Sequence, residues 1–587
     1  MKSRAYGWVQ NPSDFAKLKL VVQIFDAESE HYKALRNSLI QNYIAFSDIK
    51  GNLLTKIEMG GTTWSYAELV GSSKDINRKP PTNRKDAVAD SLIQITVLPQ
   101  SYKTKGKRWT DNWTADGFLR WAVSLGFLTV DSKKDLFSIT PKGLEFSKTE
   151  NDSEDEKEVL RGALLAYPPA VRVLEILNDA QGVAKNKFYI GNRLGFKGEK
   201  GFTSYDEELM RDWLKSEQEN KARTTIKQDV EGTSDKYARM ISGWLVKVGF
   251  LEQKKSFEQS NAGKISGFPE YLLTGKGTHA FRQTRNGKIP KFIMWEFLAT
   301  DGEMRDYNRT RRTYILKILS KTSKKSFESL LDDLKKLGFD DNQEIIKNDI
   351  KGLQSIGLRI KLDNNKIEAS DSFLDFNIPE LYKQISQVKN IPAEKRKEYF
   401  ISTTSLDIKY LELLEIAFDG KRNRDFEILT AELFKNVIGL NVQLLGGGRK
   451  PDVVAYTDNF GIIIDTKAYS TGYSKSITEE DKMVRYMEDN IIRSAKRNNT
   501  LWWETFPDDI HNDNFHFLWV SSKFNGRFSE QIKSTSSRIQ KTGAVINIEQ
   551  LLFLADRVSK GVINVSDIPK YFKDEEIQIT SSPIYSD

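Results

Sequence analysis

Three stretches of this chain share one pattern of apolar and polar positions. Each is a run with apolar residues at helical spacing, then a Gly-apolar break, then a short alternating strand pair. The first contains Trp121-Ala122-Val123-Ser124-Leu125-Gly126-Phe127-Leu128, the second Trp244-Leu245-Val246-Lys247-Val248-Gly249-Phe250-Leu251, and a fainter third Leu353-Gln354-Ser355-Ile356-Gly357-Leu358. Glycine sits where a helix closes in a left-handed cap. Return strands are predicted at Leu136-Phe137-Ser138-Ile139-Thr140 and Tyr271-Leu272-Leu273-Thr274, and a tight hairpin over Ile360 to Ile367. Helix, glycine cap and hairpin make a winged helix, whose helix can enter a DNA major groove while the hairpin meets the flanking backbone. Such modules also serve as protein adaptors.

Breaks in composition divide the chain. The acidic run Glu150-Asn151-Asp152-Ser153-Glu154-Asp155-Glu156 reads as a linker. Further breaks are predicted near Asn286-Gly287-Lys288-Ile289-Pro290 and Lys389-Asn390-Ile391-Pro392-Ala393. The expected division is 1–152, 153–288 and 289–383 for the three modules, 384–393 for a linker, and 394–587 for a region of different character.

That last region reads as α/β. A helix carrying Glu427 and Glu432 precedes Leu445-Gly446-Gly447-Gly448-Arg449-Lys450. A strand at Pro451-Asp452-Val453-Val454-Ala455-Tyr456 then turns into the apolar strand Gly461-Ile462-Ile463-Ile464-Asp465-Thr466-Lys467. Residues two apart on a strand share a face, so Asp465 and Lys467 point the same way, and the neighbouring strand can bring Asp452 to that edge. Two facing carboxylates repel; a divalent cation relieves this while polarising a phosphate, and an ammonium steadies developing charge. Alone, Asp-x-Lys is usually a surface charge pair. Here it ends a wholly apolar strand behind a Pro-Asp hairpin, where such a pair has little reason to exist without a use.

Composition narrows the chemistry. Among 587 residues there is no cysteine, so thiol catalysis, disulfides and thiolate metal sites are excluded. The four histidines, His31, His279, His511 and His516, have no zinc spacing, which leaves carboxylates and a hard ion such as Mg²⁺. A net charge of +8 suits nucleic acid as a partner. No apolar run reaches membrane-span length, and the start at Met1-Lys2-Ser3-Arg4 lacks a signal-peptide core, so a cytoplasmic protein is expected.

Candidate base readers lie at the start of the second module's helix, Glu231-Gly232-Thr233-Ser234-Asp235-Lys236-Tyr237-Ala238-Arg239. Lysine can donate to guanine O6 and N7, and glutamate can accept from cytosine N4. The same run also reads as a helix cap followed by a solvated face carrying Lys236 and Arg239. In the third module Arg309-Thr310-Arg311-Arg312 fits either phosphate or a protein acid.

The chain resembles the FokI family of type IIS restriction endonucleases, within the PD-(D/E)xK nuclease superfamily, over nearly its whole length. The likeness includes Tyr6-Gly7-Trp8-Val9-Gln10-Asn11-Pro12, Asp116-Gly117-Phe118-Leu119-Arg120-Trp121, Gly201-Phe202-Thr203-Ser204, Ser234-Asp235-Lys236-Tyr237-Ala238-Arg239, Arg309-Thr310-Arg311-Arg312, Arg449-Lys450-Pro451-Asp452 and Asp465-Thr466-Lys467-Ala468-Tyr469-Ser470. The resemblance implies an N-terminal α+β recognition region of three winged-helix modules and a C-terminal α/β nuclease domain with a mixed central sheet. It maps the catalytic set onto Asp452, Asp465 and Lys467. The metal site is expected at Asp452, Asp465 and the Thr466 main-chain carbonyl, for Mg²⁺ with Mn²⁺ as a substitute, and Glu427 is an auxiliary acid. Base readers map onto Asn11, Gln100, Trp113, Glu231 and Lys236, with Arg239 beside them, and the implied site is 5′-GGATG. The chain departs from the family at Gln228-Asp229-Val230, where the family has an Asn-Asn-Trp run, and in a longer, more basic segment from Ser72 to Arg84.

One Asp452/Asp465/Lys467 centre cuts one strand at a time, so a duplex cut needs a second copy related by a two-fold axis. Thr478-Glu479-Glu480-Asp481 reads as a capping box opening a helix on which Asp481 and Arg485 share a face. The resemblance assigns that pair to dimerisation; read alone, it is a within-helix ion pair. Expected partners are double-stranded DNA, a second copy through the nuclease domain and a separate methyltransferase, in a bacterial cytoplasm without a membrane. The competing functions are a DNA-binding regulator with a non-catalytic nuclease fold and a structure-dependent repair nuclease, which leaves the three modules without a role.

Overall fold

The computed structural model describes residues 6–44, 46–71, 89–97, 112–260, 263–287, 289–374, 376–379, 392–474 and 476–579. Gln100, the segment from Ser72 to Arg84 and positions 384–391 of the expected linker lie outside the described residues.

The first module contains β1 (Trp64–Ser65), α1 (Asn112–Ser124), β2 (Leu128–Asp131) and β3 (Leu136–Ile139), with β3 between the other two strands. Gly126, at φ +73°, turns the chain out of α1. The acidic run after this module is not a free linker. Ser153 accepts from Glu156 N at 3.1 Å and opens α2 (Glu154–Ala166), whose three first-turn acids complement the helix dipole. Glu156 is buried and pairs with Lys19 at 2.7 Å.

The second module has β4 (Lys185–Asn186), α3 (Glu207–Ser216), α4 (Thr233–Lys247) and β5 (Leu251–Lys254). A hairpin absent from the sequence pattern, β6 (Phe257–Ser260) and β7 (Gly263–Ser266), precedes the expected return strand β8 (Glu270–Leu273), which lies between β4 and β5. Trp121 and Trp244 hold equivalent places in the two repeats. They stack at 5.0 Å between centroids and 21° between planes, fusing the modules through one core.

The third module comprises α5 (Arg305–Lys321), β9 (Lys324–Ser326), α6 (Gln343–Ser355), β10 (Ile360–Asp363) and β11 (Lys366–Ala369). Asn364 and Asn365, both at positive φ, make the tight turn of this hairpin. The arginine cluster meets protein acid. Asp349 takes Arg311 at 2.6 Å and Arg312 at 2.7 Å; Arg311 also holds Asp341, and Arg312 reaches Glu199 of the second module. These side chains are buried, except that Glu199 is partly exposed, so the cluster cements two modules together.

In the last region α7 (Pro392–Thr403) and α8 (Asn423–Leu433) lead into β12 (Asn441–Leu444), β13 (Val453–Tyr456) and β14 (Gly461–Lys467). There follow α9 (Ile477–Ile492), β15 (Phe515–Ser521), α10 (Phe528–Ile539), β16 (Gly543–Asn547), α11 (Ile548–Ser559) and β17 (Glu575–Glu576). The six strands lie in chain order. The first three are antiparallel, and β14 through β17 run parallel. Ile462 and Ile464 face the core shared with α8 and α11, and Ile463 faces the core shared with α9 and α10. Burial on both faces explains why this strand is apolar throughout rather than alternating. Among the described residues no helix is long and apolar enough to cross a membrane.

Candidate active site

The hairpin β13–β14 pairs Val453 with Ile464, so Asp452, one residue before β13, arrives beside Asp465. Asp452 Oδ2 accepts from Thr466 N at 2.8 Å and from Thr466 Oγ1 at 3.1 Å, which locks its carboxylate over the end of β14. Lys467 Nζ meets Asp465 Oδ2 at 2.7 Å. The structure therefore brings Asp452, Asp465, Thr466 and Lys467 together at the ends of two interior strands. Glu427, on α8, is buried at the same place and accepts from Arg424 at 2.8 Å.

The electrostatics follow from crowding of acids in a buried place. Burial, then the charge of Asp452, push the Asp465 carboxyl up to about 7. Burial, with Asp452 next, pushes Glu427 up to about 8. Burial alone would lower the Lys467 ammonium, but Asp465 and Asp452 outweigh it and hold it above its ordinary range. Asp465 and Glu427, whose ionisation burial and the Asp452 charge oppose, belong to a donor set short of positive charge. Among the described residues no three acidic or imidazole side chains form a ready metal cage. Two carboxylates and a main-chain carbonyl instead fit a hard ion that keeps several of its waters.

Segment 203–206 of the second module connects the start of α4 with this region. Ser234 N donates to Thr203 O at 2.8 Å, Ser204 Oγ to Asp235 Oδ1 at 2.5 Å, and Tyr205 N to Asp235 Oδ2 at 3.2 Å. From the same segment Thr203 donates to Glu412, Tyr205 to Asp425, and Asp206 N to Glu432 Oε2 at 3.1 Å. Arg422 closes the set, reaching Thr203 at 2.6 Å and Glu412 at 2.7 Å. The bonds to Glu412, Asp425 and Glu432 from segment 203–206 all start from the second module.

Of the expected base readers, Asn11 and Trp113 lie together on the surface. With its amide oxygen toward the indole, Asn11 accepts from Trp113 Nε1 at 2.5 Å, and Trp113 is 59% exposed. Glu231 is buried and saturated, taking Lys187 at 2.8 Å and Arg239 at 2.7 Å, while the Arg239 side chain that covers it stays 39% exposed. Lys236 is half-buried, with no ion-pair partner among the described residues.

The α9 helix opens differently from the expected capping box. Its cap is Ser476, which accepts from Glu479 N at 3.3 Å, and Thr478 lies inside the helix. Asp481 and Arg485 do not pair within it. Asp481 meets Arg538 of α10 at 2.8 Å, while Arg485 lies over the Tyr486 ring at 5.2 Å. Sequence reasoning missed Glu479, which meets Lys467 Nζ at 3.3 Å; shifting the box by two residues to Ser476-x-x-Glu479 would have put it in the first turn. It also missed segment 203–206, whose partners in the last region, Glu412, Asp425 and Glu432, lie more than two hundred residues downstream.

Comparison with known proteins agrees with this architecture. Residues 4–149 match the model of the FokI recognition domain, subdomain 1, residues 156–281 that of subdomain 2, residues 298–365 the FokI D3 domain, and residues 383–578 the FokI cleavage domain. The type II restriction enzyme FokI of Planomicrobium okeanokoites is 38% identical over 590 residues, covering 98% of this chain and 99% of that one. StsI of Streptococcus sanguinis is 27% identical over 98% of this chain and 96% of its own. The solved structure of FokI bound to DNA superposes with a TM-score of 0.90 at 38% identity, covering 98% of this chain and all of that one, and a structure of FokI described without DNA gives 0.88. The chain belongs to the FokI family of type II restriction endonucleases.

Proposed function

We propose that the chain reads a short asymmetric duplex site, 5′-GGATG by family resemblance, and hydrolyses both strands at a fixed distance downstream. Hydrolysis uses Mg²⁺, with Mn²⁺ able to replace it, at Asp452, Asp465 and Lys467. The observation that carries the reading is the convergence of two carboxylates and an ammonium at the ends of two interior strands. Asp452, Asp465 and the Thr466 carbonyl would hold the ion, which supplies Lewis acidity toward the phosphate and acidity to a bound water. Lys467 would donate to the phosphate oxygens as charge accumulates on them. Glu427, its carboxyl raised by burial and then by Asp452, serves as an auxiliary acid able to keep a proton near neutral pH.

Recognition falls to the first two modules, with Asn11, Trp113 and Lys236 the readers accessible in the described residues, and Gln100 assigned by resemblance. Glu231 and Arg239 would contact bases only after exchanging their mutual ion pair for DNA. A second copy, docked through Asp481 and Arg485, supplies the centre for the opposite strand. The chain works in a bacterial cytoplasm beside a separate methyltransferase that protects host sites.

Incubation of a supercoiled plasmid bearing the site with Mg²⁺, followed by sequencing of the ends, tests this directly. One linear product with a constant offset is expected. A mobility shift without linearisation would favour a regulator, and cutting that follows DNA shape and ignores sequence would favour a repair nuclease.

A further inference from the structure

Two carboxylates hold the ammonium of Lys467, and only one belongs to the strand motif. Asp465 takes it at 2.7 Å, and Glu479, in the first turn of α9, is its ion-pair neighbour at 3.3 Å, with Oε2 buried and making no hydrogen bond among the described residues. We propose that Glu479 is the positioning residue for Lys467, and that it ties the catalytic ammonium to the helix carrying Asp481 and Arg485. This inference rests on the nuclease reading above.

A lysine ammonium offers three donors on a flexible four-carbon stem, so one carboxylate does not fix its direction. Any demand on Asp465 from a cation or a phosphate-bound water weakens its hold on Lys467, and a second acid then decides where the ammonium points. Glu479 is suited to that task because its backbone is pinned. Ser476 accepts from its N–H at 3.3 Å, and the next two residues are anchored to α10: Ser534 donates to Glu480 at 3.0 Å, and Arg538 meets Glu480 at 3.3 Å and Asp481 at 2.8 Å. Its carboxylate is divided, one oxygen on Lys482 at 2.5 Å and the other on Lys467. Both Glu479 and Lys467 are less than one-fifth exposed, so solvent screens the contact weakly. A second copy that draws Asp481 away from Arg538 acts on this same turn, one peptide group from Glu480 and two from Glu479. Docking of the partner and orientation of the catalytic lysine thus share one helical turn.

The test uses the full chain and duplex DNA bearing the site. Glu479→Gln keeps size and helix position but removes the charge; Glu479→Asp keeps the charge. Single-turnover cutting at saturating protein with Mg²⁺ should fall about 10- to 100-fold in Glu479→Gln, the range for partners that orient a first-line group. The protein concentration for half-maximal rate should not change, and Glu479→Asp should recover most of the loss. In the metal-free protein, acylation of Lys467 measured by mass spectrometry should speed up in Glu479→Gln and return toward the wild-type rate in Glu479→Asp. Wild-type cutting by Glu479→Gln, equal slowing by both variants, or unchanged Lys467 labelling would each overturn the proposal. If the wild-type chain itself cut no DNA, the nuclease reading would fall, while the labelling would still decide whether Glu479 holds Lys467.

Discussion

Tyr205→Phe should raise cutting of DNA that lacks the recognition site. The Tyr205 hydroxyl is buried and donates to Asp425 across the boundary between the second module and the nuclease region. Phenylalanine keeps the ring and its packing against Phe188, so the substitution removes one hydrogen bond to a charged acceptor and little else. Such a bond contributes about 1.5–3 kcal/mol. If the nuclease region leaves the second module to cut, water replaces the missing partner there, so the loss falls on the docked arrangement seen here. At 1.4 kcal/mol per tenfold, the released population rises about 10- to 140-fold. Asp425 retains Arg422 at 2.7 Å, and Thr203 and Asp206 keep their bonds, so docking weakens without being abolished. Nicking of a supercoiled plasmid without the site, at fixed protein and Mg²⁺, reads the change, and amide exchange over 203–206 reports the loosening independently. Unchanged nicking together with unchanged exchange would refute the view that segment 203–206 restrains the nuclease.

Asp452→Ala should shift site-bearing DNA as the wild type does and leave plasmid uncut, since it removes both the bonds to Thr466 and one facing acid. Lys236→Ala should lose roughly 1–3 kcal/mol of preference for the site in competition binding, and retained preference would remove Lys236 from the readers. Asp349→Ala leaves Arg311 and Arg312 without their shared acid in a buried place and should destabilise the chain by about 3–5 kcal/mol, measured by denaturant melts. In the metal-free protein, stability should fall as pH rises from about 4 to about 8. Asp465 and Glu427 carry raised values when folded, so the native state binds more protons than the unfolded chain across that window and loses that advantage as they ionise. Thermal melts in EDTA should show the slope, and Asp465→Asn should flatten it.

Much of the architecture was legible in the chain because it is written in short-range pattern. The Trp-x-x-x-x-Gly-apolar repeats announce helix, left-handed turn and strand within a few residues, and the structure builds α1 with β2 and α4 with β5 on them. Pro451-Asp452 and Asp465-Thr466-Lys467 are joined by one hairpin, so strand pairing alone brings them together. The inserted β6–β7 hairpin escaped notice because its residues alternate weakly and Phe257 is exposed. The acidic run at Glu150 to Glu156 misled because charge density resembles a linker, while Ser153 and Lys19 convert it into a capped, docked helix.

By itself, the sequence determined the identity and local order of the elements and the acids and lysine at the end of β14, since backbone periodicity and hairpin register act over a few residues. Only the tertiary structure decided which charges are spent on one another. It closed Glu231 on Lys187 and Arg239, gave the Arg311 and Arg312 side chains to Asp349, turned Asp481 toward Arg538 and brought Glu479 to Lys467. Except for Glu231 with Arg239, these partners stand ten or more residues apart in the chain. A charge finds such a partner through folding, because burial penalises any that stays unpaired, and the pattern of residues around it carries no mark of which partner that will be.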